Sequence, residues 1–305
     1  MAVTLTAPPR LLLVHAHPDD ETIWTGGTIA RYAARGVQVI VVTCTLGEEG
    51  EVIPDSLSGL ASDAADQLGG YRVGELRSAC SALRLTDHRF LGGVGRWRDS
   101  GMRWEEPGRA TAAPGAHPRA FATGDFEEQT GALETILREV KPQVVATYAA
   151  DGGYGHPDHV RAHEVTMAAT TRVPEVARVF HSVPSRDVRD AGLAALARAE
   201  GLPFALPQPD ELPAVPDETI TTVIDIGEHL PAKISALRAH GTQVRVWMEQ
   251  WNNGDGAAAY ALSNGIAQPV VTSEHYVLAA GDARGCEADL FGGLGVSGID
   301  PAGSR

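Results

Sequence analysis

The sequence has little cysteine, little positive charge and no long apolar run. Its three cysteines, Cys44, Cys80 and Cys286, are too few and odd in number for a disulfide framework, and they fit a reducing compartment. No apolar stretch approaches the ~20 residues of a bilayer span, so no membrane contact is expected. Pro8 and Pro9 interrupt the start, and the next apolar run carries no cleavage pattern. A signal peptide is therefore not expected, and a cytoplasmic location is. Basic residues number 25 against 39 acidic ones, for a formal charge of −14. That is the wrong sign for a protein tracking a phosphate backbone, and no nucleic-acid partner is expected. No internal repeat is visible. G-x-G-x-x-G does not follow the first apolar run, which removes the main support for a dinucleotide cofactor.

What is present is an ordinary globular composition, 43% hydrophobic and 21% charged over 305 residues, enough for one large domain or a core with a smaller addition. Short, partly β-branched runs at Leu11–Val14, Val37–Thr43 and Val144–Tyr148 read as strands covered on both faces. Helices are expected between them. One carries Ile29, Tyr32 and Ala33 and ends near Gly36. The next carries Val73, Leu76, Cys80 and Leu83, with Arg72 and Glu75 off that stripe. A short strand is expected at Arg89–Leu91, then a Gly-rich loop over 92–101 and an irregular surface loop over 103–124. Asp125 reads as an N-cap, with Glu128 closing a capping box, ahead of a helix that buries Phe126, Thr130, Leu133, Leu137 and Val140. Pro142 stops that helix, and another starts at Pro157 or Asp158. The order β-α-β-α-β-α-β implies parallel strands with right-handed crossovers.

Beyond about 175 the pattern changes. Strands are expected at Arg178–Val183, Thr219–Ile226 and Glu274–Ala279, helices at Arg186–Gly201 and Pro231–Gly241, a Pro-rich loop over 202–216 and a turn at Asn252–Gly256. This part either completes the sheet or forms a second layer. The expectation is an α/β, Rossmann-like, mostly parallel sheet with helices on both faces, plus a smaller C-terminal α+β part. The division is 1–175, the catalytic portion, and 176–305, which completes the cleft.

The chemistry concentrates in two stretches, His15-Ala16-His17-Pro18-Asp19-Asp20-Glu21 and Gly152-Gly153-Tyr154-Gly155-His156-Pro157-Asp158-His159. Each follows an apolar strand, at the sheet edge where ligands bind in open α/β folds, and the two are expected to face each other. Two histidines and a carboxylate with one open position form a catalytic zinc set, which His17, Asp20 and His159 can supply. An H-x-H chelate using His15 is the rival assignment; the preferred role for His15 is support or core. Zinc fits, with iron(II) as the alternative in the cell. Asp19, adjacent to Asp20 and uncommitted, is the candidate base. Tyr154 and His156 are candidate donors to the carbonyl oxygen or the leaving amine. Asp158 is expected either to orient His156 and keep it cationic or merely to cap its helix.

At these residues the chain resembles the zinc-dependent N-acetylglucosaminyl deacetylases of the LmbE/PIG-L type, whose A-H-P-D-D-E and H-P-D-H signatures stand here without departure. Longer strings, Thr43–Val52, Asp66–Arg72, Gly95–Met102, Gly153–His156, Ala261–Asn264 and Glu274–Leu278, resemble the mycothiol-pathway branch of that family. The resemblance implies zinc on His17, Asp20 and His159, Asp19 as base, and Tyr154 and His156 at the oxyanion and leaving group. Arg72, Asp99 and Glu51 would contact an amino-sugar–inositol substrate whose acetamide is hydrolysed. A surface salt bridge is the plain alternative for Arg72 and Asp99. The departures lie in 103–124 and 172–216. Two rival functions are the sister amidase acting on mycothiol S-conjugates and a binding protein with a structural metal.

Overall fold

A computed structural model describes residues 8–249, 257–296 and 299. The first strand, β1 (Arg10–His15), leads through the His-Asp loop into α1 (Asp20–Ala34), then β2 (Gln38–Thr43), α2 (Leu68–Ala82) and β3 (Asp87–Phe90). After the hairpin β4 (Met102–Glu106) and β5 (Arg109–Ala112) come α3 (Phe126–Val140), β6 (Val144–Tyr148), α4 (Pro157–Thr171), β7 (Arg178–Val183) and α5 (Arg186–Leu196). The remainder holds β8 (Thr222–Asp225), α6 (Leu230–Ala239), β9 (Arg245–Met248), β10 (Ala258–Ala261), β11 (Gln268–Pro269) and β12 (Ser273–Gly281).

Seven strands form one sheet in the order β3-β2-β1-β6-β7-β12-β8. The first five are parallel, and β12 runs antiparallel to both β7 and β8. Alternation along each strand decides the layers. Leu11, Leu13, Val39 and Val41 pack with Ile29 and Tyr32 of α1, Leu76 and Cys80 of α2 and Ala236 of α6. Leu12, Val14, Ile40 and Val42 pack on the other face with Leu133 and Leu137 of α3 and Ala162 and Val165 of α4. Helices thus cover both faces. Both possibilities left open for the last third are realised: β7, β8 and β12 extend the main sheet, while β9, β10 and β11 make a small antiparallel sheet.

Several local expectations need correction. Residues 103–124 are not irregular throughout, because Pro107-Gly108 turns the chain, with Gly108 at φ 77°, and pairs Met102 with Ala112. Arg72 and Glu75 lie on the buried face of α2, since each has a buried partner there: Gly47 O for Arg72, and the Thr242 N–H and hydroxyl for Glu75. The capping box is half made: Asp125 accepts from the Glu128 N–H, but the Glu128 carboxylate turns outward to Arg96. The helix from Arg186 stops at Leu196, and the strand expected from Thr219 begins at Thr222 after a 3-10 turn. The turn at Asn252–Gly256 lies outside the described residues.

One glycine is explained by packing. A Cβ on Gly27, within α1, would stand 2.6 Å from Ile226 Cβ. At the same place the Glu274 carboxylate accepts the Gly27 and Thr28 N–H groups, each at 2.8 Å. Lys233 Nζ bonds Glu274 at 2.7 Å and Ile23 O at 3.0 Å. The strand β12 and the helix α6 therefore grip α1 at its middle, just behind its chemically loaded first turn.

Candidate metal centre and active site

Strands β1 and β6 are parallel neighbours, with Leu11, Leu12 and Leu13 opposite Val144, Val145 and Ala146. Connections leave them in opposite directions across the sheet, so a crevice opens beyond their carboxyl ends. Both histidine loops line it. In the first loop Ala16 N–H donates to the Tyr148 hydroxyl at 2.8 Å, and His17 N–H donates to Asp20 Oδ2 at 2.9 Å. Asp19 takes φ 115°, ψ −32° at the start of α1, a sparsely populated conformation for a residue with a side chain. In the second loop Gly152, Gly153 and Gly155 have φ of 66°, 83° and 87°. A Cβ on Gly152 would stand 2.7 Å from that of His159. That close approach lets the Gly152 carbonyl accept from His159 Nδ1 at 3.1 Å.

This last bond fixes a tautomer. A carbonyl only accepts, so Nδ1 carries a proton and Nε2 is the nitrogen left to face a cation. His159 Nε2 is buried without a hydrogen-bond partner among the described residues, yet Asp20 Oδ2 stands 3.3 Å away. His17 Nδ1 is 3.2 Å from the same oxygen. The other His17 nitrogen, Nε2, faces Asp158 Oδ2 at 3.3 Å and Asp99 Oδ1 at 3.5 Å, the carboxylate backing typical of metal-ligating histidines. Burial would lower the His17 pKa, but Asp99, Asp158 and Asp20 reverse this and hold it well above the ordinary range. Electron-rich atoms converge in an anionic pocket, so the donor set fits a cation. Ring nitrogens of His17, His156 and His159 also lie within 4.8 Å of one another, as do ligand atoms of His17, Asp99 and Asp158. His15 joins neither group: β1 ends at His15, the chain turns, and its Nε2 pairs with Thr25 at 2.9 Å.

Asp19 lines the cleft beside Arg72, whose Nη2 is 3.2 Å from Asp19 Oδ2. Burial pushes the Asp19 carboxyl up to about 6 against the pull of Arg72. Tyr154 lines the same cleft, with burial holding its phenol above the ordinary range and so neutral. His156 is the N-cap of α4, accepting from Asp158 N–H at Nδ1. The expectation that Asp158 orients a cationic His156 is corrected. The Asp158 carboxylate is taken up by His17, Ser100 and the Ala122 N–H, and burial together with His17 and His159 holds His156 well below its ordinary pKa. Nor does Asp158 cap the helix, a place His156 takes.

Arg72 and Asp99 are not a surface salt bridge, being 3% and 5% exposed and bound to different partners. Arg72 clamps the loops at Gly47 O and Pro18 O. Asp99 accepts from Gly101 N–H at 2.9 Å and Glu49 N–H at 3.3 Å. Both line the cleft, as does exposed Glu51. The cleft encloses about 400 Å³ and runs on to Val183, Ser185, Leu262, Asn264 and His275, room of the order of one small ligand. Sequence reasoning missed Tyr148, stacked on His159 at 4.1 Å and 14°, although its place at a strand end beside the motif was a signal. It also missed half-exposed Trp104, which lines the cleft beside Tyr154. His240, bonded to Glu21, carried no signal at all.

Fold and site together define an α/β protein with a buried His/Asp metal-binding cluster at the switch point of a parallel sheet. The family model for PIG-L, GlcNAc-PI de-N-acetylase, matches residues 12–170. A Saccharopolyspora erythraea protein, 1D-myo-inositol 2-acetamido-2-deoxy-alpha-D-glucopyranoside deacetylase 1, is 79% identical over 303 residues, covering 99% of this chain and 100% of the relative. An Actinosynnema mirum deacetylase named for the same compound is 66% identical over 293 residues, covering 96% and 100%. The deacetylase of teicoplanin biosynthesis, solved with teicoplanin, shares the fold at 20% identity and a TM-score of 0.50, over 88% of this chain and 98% of that one. This chain belongs to the PIG-L deacetylase family.

Proposed function

We propose that the protein hydrolyses the acetamide of N-acetylglucosaminyl-inositol, 1D-myo-inositol 2-acetamido-2-deoxy-alpha-D-glucopyranoside, releasing acetate and the free amine in mycothiol biosynthesis. The observation carrying this reading is the 79% identity over the whole chain to a deacetylase named for that compound. His17, Asp20 and His159 are the ligands on this reading and zinc the ion, with iron(II) the alternative. When bound, the cation supplies Lewis acidity to the acetamide carbonyl and to the attacking water.

The protein's own groups do the rest. Asp19, raised to about 6, is ionised at neutral pH yet basic enough to take a proton from water, and Arg72 holds its carboxylate in the cleft. The neutral Tyr154 hydroxyl donates to the oxygen on which charge develops. His156 Nδ1 is occupied by the Asp158 N–H, so its Nε2–H is the side free to donate to that oxygen or to the leaving nitrogen. Asp158 acts through His17. Asp99, Arg72 and Glu51 meet the sugar hydroxyls, and residues 176–305 complete the cleft around the rest of the substrate.

The test is acetate release from the acetylated sugar-inositol against amide cleavage of a mycothiol S-conjugate, with metal content measured alongside. Higher kcat/KM on the acetylated sugar is expected. Preference for the conjugate, or full turnover by metal-free protein, would overturn the reading.

A further inference from the structure

We infer that His240, acting through Glu21, is a positioning residue that holds Asp19 in its active conformation. The inference rests on Asp19 being the base. Asp19 cannot keep φ 115° by local preference, so the surroundings must hold it there. Its backbone is pinned at both its carbonyl and its N–H. Its carbonyl accepts from Thr22 and Ile23 N–H, each at 2.9 Å, which follows from α1 itself. Its N–H donates to Glu21 Oε2 at 2.9 Å, and this bond exists only if the Glu21 side chain turns back along the chain.

Glu21 is fully buried. A carboxylate there needs a partner, and the other oxygen has two: Thr22 Oγ1 at 2.5 Å and His240 Nε2 at 2.8 Å. His240 is also fully buried, immediately after α6 and 219 residues away in sequence. Its Nδ1 has no hydrogen-bond partner among the described residues. A side chain kept for packing would be apolar at such a place, because an unpartnered buried nitrogen is unfavourable. What the position supplies is the single N–H aimed at Glu21. The bond fixes which way the Glu21 carboxylate faces, hence the Asp19 amide, hence the direction of the Asp19 side chain into the cleft. A misplacement of about 1 Å at such a group costs on the order of 100-fold in rate.

His240→Asn and His240→Gln in the full-length, metal-loaded enzyme separate positioning from plain support. The glutamine amide nitrogen reaches the place of Nε2, whereas asparagine stops short at that of Nδ1. Expected for His240→Asn is a kcat about 100-fold lower, with KM within about threefold and bound metal unchanged. His240→Gln should restore kcat to within about tenfold of wild type. A purely structural role would lower folded fraction and metal content and leave kcat per bound metal unchanged; that result, or equal losses in both variants, overturns the inference. If His240→Asn does not fold, Glu21→Ala removes the same constraint from the other end of the bond, and a kcat within about threefold of wild type there overturns it too. Wild-type protein that releases no acetate from any acetamide defeats the proposed activity instead.

Discussion

Asp19 lines the cleft while His159 is buried behind it, and their alanine variants should fail differently. Asp19→Ala keeps His17, Asp20 and His159 in place, so bound metal should be unchanged while kcat falls by about 10²–10⁴-fold, the span of a lost general base. His159→Ala removes the ring nitrogen facing Asp20 Oδ2, and metal content should fall with activity. Metal analysis beside acetate release checks both; metal-free Asp19→Ala with metal-loaded His159→Ala would reverse the assignment. The Glu21–His240 pair carries a pH signature of its own. Burial would raise Glu21, but His240 and Thr22 bring it down to about 2. Its contribution to stability is present above the ordinary Glu value of 4.5 and is lost as pH falls toward 2. Burial would lower His240, but Glu21 raises it above 6.5. That contribution is complete below 6.5 and is lost as pH rises through the raised value. The gap in Tm between wild type and His240→Gln should therefore be widest between about 4.5 and 6.5 and narrow at alkaline pH. A gap independent of pH would mean the pair does not titrate with folding.

At the scale of elements, α1 is held at its middle by Glu274, Lys233 and Ile226. Gly27→Ala would press a methyl against Ile226, and overpacking of this kind costs about 1–3 kcal/mol. A lower Tm is expected, recovered in part by adding Ile226→Ala, since contacting sites couple. A Gly27→Ala protein as stable as wild type would show that α1 and the segment before α6 slide freely. The strands and helices around the two motifs were legible because buried parallel strands are continuous apolar runs and their helices repeat at 3.6 residues. The buried His/Asp cluster was legible because two loops each place histidine and aspartate after such a run. The hairpin of β4 and β5 was not, since Arg103, Glu105 and Glu106 are charged and its cover is a single buried residue, Ala110, bonded to Tyr154 O. Arg72 and Glu75 were read as off the buried stripe of α2 because periodicity counts apolar residues alone, and only the distant loops at Gly47 and Thr242 make burial tolerable. His240, Lys233 and Glu274 are single polar residues whose partners lie 41 to 247 positions away, a distance at which no local pattern speaks.

Across the whole molecule the metal centre joins loops from the first and middle thirds of the chain, so cation binding should stabilise the fold generally. At a free metal concentration about 1,000 times Kd the gain is about 4 kcal/mol. Chelation should lower Tm accordingly, and re-addition of zinc should restore it; a Tm indifferent to chelator would mean that no ion is held by the folded state alone. The sheet order has another consequence, for synthesis. Strand β12 is the last of the main sheet to leave the ribosome, yet it lies between β7 and β8. Until residue 281 has emerged, β7 shows an open edge of unpaired amides and carbonyls, β8 has no neighbour in the sheet, and α1 lacks the Glu274 carboxylate at its middle. A nascent chain at that stage holds nearly every residue of the site and is also at its most adhesive. Ribosome-stalled chains ending before Ser273 should bind chaperone strongly and show no turnover, and both properties should change together over the next ten residues or so of elongation.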